Sequence, residues 1–278
     1  MTNTLIDNSN EQLSMLKTLN ECLSHDCYHT ISIATGYWDM PGLSLVVDKL
    51  GEFLKKEGTK LRLLIGKDPY VYASQLEKPK IKNHKYPDDY IKTDINELEF
   101  KEEYKKSVQF LLDNCSEEEN SKVQIRVFRN NENEDTKFLH SKCYIFAGDN
   151  DAVGIIGSSN FTLKGLQDNA ELNYVETDWL RIVPETGNSY KKSHTMWFEE
   201  KWQNSQPWNK TFLEQILRTS PIALKIKKEK ECLSPYEIYI KYLQLQFGDV
   251  IDETVTSQLK SYLPKDFYSY NYQLDAVK

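Results

Sequence analysis

The sequence predicts an α/β layer sandwich followed by a smaller helical extension. Three observations carry this prediction. Between residues 28 and 66, a β-like run, an amphipathic helix and a second β-like run follow one another, the order of a βαβ unit with a parallel strand pair. Between 122 and 177, four short β-like runs are separated by turns rich in Asn, Asp, Gly or Lys. Beyond residue 205 the apolar spacing becomes helical throughout, so we divide the chain into a sandwich over 1–205 and an extension over 206–278.

Taken in order, Leu13, Leu16, Leu19 and Leu23 repeat at helical spacing over the first 25 or so residues. "YHTISIATGYW" alternates Ile31, Ile33 and Thr35 and closes at Asp39 and Pro41, as a strand does. "GLSLVVDKLGEFLKKE" is an amphipathic helix, and "TKLRLLIGKDP" a buried strand ended by Gly66 and Pro69. Residues 70–100 are polar and carry Pro79 and Pro87. They read as a long, irregular surface insertion before a helix near 100–114. "KVQIRVFRN", "FLHSKCYIFAG", "AVGIIGSSN" and "AELNYVET" are the four later strands, and a helix at 188–203 turns Met196, Trp197, Phe198 and Trp202 back onto the sheet. In the extension, "WNKTFLEQILRTS", "SPYEIYIKYLQLQFG" and "DETVTSQLKSYL" are helical, with Lys225, Lys227, Lys228 and Lys230 between the first two.

Composition excludes several classes. An apolar fraction of 39% and a charged fraction of 28% belong to a globular chain rather than a disordered one. No apolar run reaches the ~18 residues of a spanning helix. The N-terminus lacks the basic and apolar regions of a secretory signal, so a cytoplasmic location is expected. Five cysteines (Cys22, Cys27, Cys115, Cys143, Cys232) contain no C-x-x-C pair, which predicts free thiols rather than a disulfide framework or zinc ribbon. HExxH, a clustered Asp pair and a Cys/His ligand set are likewise not seen.

The net charge of −7 runs against phosphate binding, but the sign is unevenly distributed. Acid gathers at NELEFKEE, CSEEEN and NENED, whereas Arg126, Arg129, Lys137, Lys142 and Lys164 lie in or beside residues 138–173. Arg129, Lys137 and Lys164 are accordingly the candidate nucleic-acid contacts.

The same stretch spends good strand positions on polar groups. His140 and Lys142 share one strand face by alternation, and Ser158 and Asn160 share one where the next strand ends in a Gly-Ser-Ser-Asn turn. An imidazole flanked by an ammonium and an amide offers a nucleophile or acid beside donors for non-bridging oxygens, which is what phosphoryl transfer needs.

His140-Ser141-Lys142, then Gly157-Ser158-Ser159-Asn160, then Glu171 eleven residues on, resembles the signature of the phospholipase D superfamily. One position departs: the family's Asp is here Ala147, with Asp149 two residues later. The resemblance implies a mixed β-sheet sandwiched by helices and a metal-independent phosphodiesterase with no cofactor, and the missing metal-ligand motifs agree with that. It also implies roles. His140 attacks phosphorus, Lys142 and Asn160 hold the equatorial oxygens, Ser158 supports them, and Glu171 orients an imidazole. The family uses two H-x-K motifs and this chain has one, because His25, His29, His84 and His194 are not followed two places on by Lys. A homodimer sharing one composite site, as in the family's single-motif nucleases, is therefore expected, with nucleic acid, specifically DNA, as substrate.

"SPYEIYIKYLQLQFGD" and "YNYQLDAVK" resemble the segment that joins such a domain to a superfamily 2 helicase, with a Q-motif-like start around Gln273. That implies the N-terminal piece of an ATP-driven enzyme serving defence against foreign DNA. Neither a phosphate-binding G-x-x-x-x-G-K-[ST] loop nor a DExx box occurs in these residues, so ATP would belong to the helicase part alone. The competing reading is a module that holds DNA or dimerises without cutting. A lipid phosphodiesterase fits less well, for want of a second motif, a signal segment and a basic amphipathic helix suited to a membrane face.

Overall fold

Ile31 and Ile33 alternate along the strand Tyr28–Thr35 as the sequence predicts, and this strand becomes one of the two central members of a mixed sheet. The computed structural model describes residues 4–66, 87–98, 101–118, 120–128, 139–183, 192–231 and 235–247. Its strands are β1 (Thr4–Ile6), β2 (Tyr28–Thr35), β3 (Lys60–Ile65), β4 (Val123–Val127), β5 (Lys142–Gly148), β6 (Ala152–Gly157), β7 (Asn173–Glu176) and β8 (Gln206–Pro207). They form one eight-stranded sheet in the order β1-β7-β6-β5-β2-β3-β4-β8. β2, β3 and β4 run parallel, and every other pairing is antiparallel. Both the parallel pair and the four later strands are therefore present, whereas the helix expected over the first 25 or so residues forms only at Met15–Leu23, and β1, too short to show a period, stands before it.

The sheet is covered on both faces. One face packs against α1 (Met15–Leu23), α2 (Met40–Ser44), α3 (Val47–Lys55), α4 (Pro87–Asn96) and α5 (Glu102–Asn114), with Met15, Leu19, Leu50, Phe53, Val108 and Leu111 in its core. The other receives α6 (Trp179–Ile182) and α7 (His194–Gln203), which set Ile182, Phe198 and Trp202 against Ala34, Leu64, Cys143 and Ile145. Side-chain caps fix the helix starts: Ser14 accepts from the Lys17 amide and Ser193 from the Met196 amide.

Two expectations are corrected here. The insertion at 70–100 is not irregular throughout: α4 lies within it, and its Ile91 and Ile95, one turn apart, are buried in the core. In α7, Phe198 and Trp202 pack inward as expected, but Met196 faces solvent at 39% exposure.

The first compact unit extends through Ile226. After α8 (Asn209–Thr211), a π-helical segment at Phe212–Leu217 buries Phe212, Leu213, Ile216 and Leu217 in the sheet's larger core. Phe212 is edge-on to Trp38 at 5.6 Å and tilted against Trp208 at 5.2 Å. Trp38 lies just past β2, so this contact ties the residues after 205 to the end of the sheet. Phe212→Ala should cost about 3–5 kcal/mol of stability, read from the midpoint of a urea unfolding curve. The compact unit ends within α9 (Pro221–Glu231), and α10 (Pro235–Phe247) belongs to the second unit, Lys227–Lys278. α10 exposes Tyr236, Ile238, Tyr239 and Tyr242. The third helical stretch of the extension, "DETVTSQLKSYL", and the Q-motif-like residues around Gln273 lie outside the described residues.

Candidate active site

β2 and β3 run parallel, and the site lies at the carboxyl end of β2, where β5 begins and β6 ends. Across the sheet here, Lys142 pairs with Gly157 and Gly157 with Asn173, so the starts of β5 and β7 and the end of β6 share one row. Gly157 permits this closeness: a Cβ there would lie 2.2 Å from Asn173 Oδ1 and 2.4 Å from the Leu172 carbonyl oxygen.

Lys142 is the first residue of β5 and only 5% exposed. Its ammonium donates to the His140 carbonyl oxygen at 2.7 Å. Burial holds its pKa below the usual lysine value, while the Glu171 carboxylate acts in the opposite sense. A buried ammonium keeps two further donors whose desolvation an anion would offset.

His140 precedes the strand and is exposed. Partial burial and then the Lys142 charge both lower its pKa from the ordinary 6.5, which favours the neutral imidazole. Asn160 stands beside it. A Cβ added at Gly36 would be 3.3 Å from Asn160 Oδ1 and 3.5 Å from His140 Cδ2, so both side chains border one backbone position. The Tyr37 amide donates to Asn160 Oδ1 at 3.0 Å, which orients the side-chain amide and leaves Nδ2 as the end that can donate to a ligand.

Ser158 and Glu171 form the other half. The Ser158 hydroxyl donates to Glu171 Oε2, the Leu172 amide donates to Ser158 Oγ at 3.0 Å, and Asn169 Nδ2 donates to Glu171 Oε1 at 3.2 Å. Ser158 and Asn160 thus have separate tasks: Ser158 holds the carboxylate, whereas Asn160 sits with His140.

Of the candidate nucleic-acid contacts, Lys164 is exposed on the segment following Asn160. Arg129 and Lys137 lie outside the described residues. Asp149 does not replace the missing Asp at Ala147. It lies beyond the far end of β5, 86% exposed, with its carboxylate 3.5 Å from His29 Nε2.

Sequence reasoning missed the groups that hold the turn. The Phe161 amide donates to Thr35 Oγ1 at 3.0 Å, and Asp39 Oδ1 accepts from the Gly42 amide at 2.6 Å and the Leu163 amide at 3.1 Å. Buried Asn173 accepts from the Ser159 amide at 3.1 Å and donates to Ser159 Oγ at 2.8 Å, while the Tyr144 hydroxyl donates to the Ser159 carbonyl at 2.9 Å. Asp39 before Met40-Pro41 was a readable helix cap. Thr35 and Asn173 carried no such signal.

Among the described residues, His25, Cys27 and Asp151 bring one potential ligand atom each within 4.8 Å of one another, at the opposite end of β5 from Lys142.

The model of the family described as "Cardiolipin synthase, PLD-like domain" matches residues 21–202. The chain belongs to this phospholipase D-like family. The matched span runs from α1 to α7 and contains every residue of the site described above. No curated protein matches the chain. Among solved structures, NucT from Helicobacter pylori is 11% identical at a TM-score of 0.42, covering 74% of this chain and 98% of that one. Nuc from Salmonella typhimurium, a phospholipase D family member, is 14% identical at 0.40, covering 74% and 97%. The phosphatidylserine synthase of Haemophilus influenzae is 12% identical at 0.43, covering 94% of this chain and 47% of that one. Among the described residues, no helix of this phospholipase D-like chain is long and apolar enough to cross a membrane.

Proposed function

We propose that the chain is a metal-independent phosphodiesterase that cleaves DNA through a phosphohistidine at a site shared between two copies. The observation that carries this reading is the pairing of buried Lys142 with exposed His140 beside Asn160. A ring nitrogen of His140 attacks phosphorus while the bond to the leaving oxygen breaks, and the partner's His140, as imidazolium, gives that oxygen its proton. Water then attacks phosphorus, returns a proton to the partner's imidazole and breaks the P–N bond. Lys142 and Asn160 hold the equatorial oxygens, Ser158 fixes Glu171, and Glu171 orients an imidazole. Lys164, with Arg129 and Lys137, would track the backbone.

A shared site is required because one imidazole cannot stand on both sides of an in-line displacement. An apolar row supports pairing. Leu5, Tyr174 and Ile156 are register neighbours on β1, β7 and β6, exposed at 58%, 36% and 47% beside the site's end of the sheet. If that row seats the second copy, Tyr174→Lys should yield monomers in sedimentation and abolish cleavage together. Excess His140→Ala chains mixed with wild type should suppress activity through mixed dimers.

The helicase connection and a defence role rest on the resemblance of the tail, and DNA is preferred over RNA on the same ground. The deciding experiment is cleavage of end-labelled single- and double-stranded DNA in EDTA, with a parallel arm of phosphatidylglycerol vesicles. The proposal expects DNA products with chelator present. Activity on the lipid alone, or DNA cleavage lost in EDTA and restored by magnesium, would overturn it. DNA binding without cleavage under any condition would instead support a non-catalytic module.

A further inference from the structure

The far end of the sheet carries a second constellation with different chemistry. His25 lies between α1 and β2, Cys27 just before β2, and Asp151 in the turn joining β5 to β6. Cys27 Sγ is 3.1 Å from His25 Nδ1 and 3.6 Å from Asp151 Oδ2. Tetrahedral zinc, with Zn–S near 2.3 Å and Zn–N or Zn–O near 2.0–2.2 Å, sets sulfur about 3.5 Å from its neighbouring ligand atoms. The sulfur–oxygen distance therefore already fits, and sulfur and nitrogen must part by about 0.4 Å.

Backbone geometry builds this closeness. Tyr28 pairs with Gly148, and a Cβ at Gly148 would lie 1.9 Å from the Cys27 carbonyl oxygen, so glycine is needed for the turn to approach. The Gly148 amide donates to the Asp151 carbonyl at 2.9 Å, closing the turn that carries the carboxylate. The register of β2 on β5 shifts between Tyr28 and Thr30, and His29 in that irregularity meets Asp149 at 3.5 Å, so a second imidazole–carboxylate pair stands on the same turn.

We propose that His25, Cys27 and Asp151 form a structural site for a borderline-soft divalent transition metal, zinc in the first instance, with water completing the coordination. The donors select the class: thiolate and imidazole disfavour magnesium and calcium, and one carboxylate completes a set of three. On binding, the Cys27 thiol gives its proton to solvent and its sulfur lone pair to the ion. The ion would staple the end of α1 and the start of β2 to the β5–β6 turn. It is remote from the chemistry: the six steps from Lys142 to Gly148 along β5 span about 20 Å of strand, so the metal takes no part in phosphoryl transfer.

The test uses the full chain, untagged and stripped with chelator, titrated with zinc and separately with cobalt(II). One ion per chain is expected, with a thiolate-to-cobalt charge-transfer band and a raised melting temperature in zinc. Cys27→Ser should remove the band, and His25→Gln and Asp151→Asn should each weaken binding about tenfold or more. Cys115→Ser, at a buried thiol elsewhere, should leave the stoichiometry and the charge-transfer band unchanged. Absence of binding at micromolar free zinc, or binding that all three ligand variants leave unaltered, would overturn the proposal. Should one variant fail to fold, the charge-transfer band and stoichiometry of the wild-type chain still decide, because a cobalt complex lacking that band excludes Cys27 as a ligand.

Discussion

His140→Ala should lower DNA cleavage by a factor on the order of 10⁴ or more, because on the proposed mechanism it removes both the nucleophile of one copy and the acid of the other. The fold should survive the change. His140 is exposed, precedes β5, and contributes its backbone carbonyl rather than its ring to the Lys142 contact, which the variant keeps. DNA binding should therefore stay within a few-fold of wild type, since the proposal assigns phosphate affinity to Lys142, Asn160 and the basic residues nearby. A loss of binding that parallels the loss of cleavage would mean that His140 holds DNA rather than attacks it.

Lys142→Met should reduce the rate by about 10²–10³ through lost stabilisation of the equatorial oxygens, and it should also move the pH profile. The sign follows from the neighbouring charge. Burial first, and then the Lys142 ammonium, hold the His140 pKa below 6.5. Methionine keeps the burial and removes the like charge, so the His140 pKa should rise and the acid limb of the profile should shift to higher pH. An acid limb that stays in place would mean that the group titrating there is not His140 beside Lys142.

How far the sequence carried these conclusions differs between the parts. The site was legible where function needs rare residue types at fixed spacing. His140 and Lys142 two apart, and a Gly-Ser-Ser-Asn turn closing a strand, are unusual uses of strand positions, and the structure brings His140, Lys142 and Asn160 to one end of the sheet. Its supports were less legible, because they act across the sheet. Thr35 on β2 and Asn173 on β7 hold the 158–161 turn, yet each is an ordinary polar residue in a strand until the strand order is known. The parallel pair could be read because its period and intervening helix are local. α4 could not, because Ile91 and Ile95 sit amid polar residues and owe their burial to neighbours distant in sequence. The His25, Cys27 and Asp151 cluster was missed for the same reason: Asp151 follows Cys27 by over a hundred residues, and only the pairing of β2 with β5 joins them.

The central claim, a covalent phosphohistidine formed by His140, has a direct stereochemical readout. A DNA substrate carrying a phosphorothioate of defined configuration at the scissile position is cleaved in isotopically labelled water, and the configuration at phosphorus in the product is determined. Two successive in-line displacements, first by His140 and then by water, predict net retention. Inversion would mean that water attacks the phosphodiester directly, and would contradict His140 as the nucleophile.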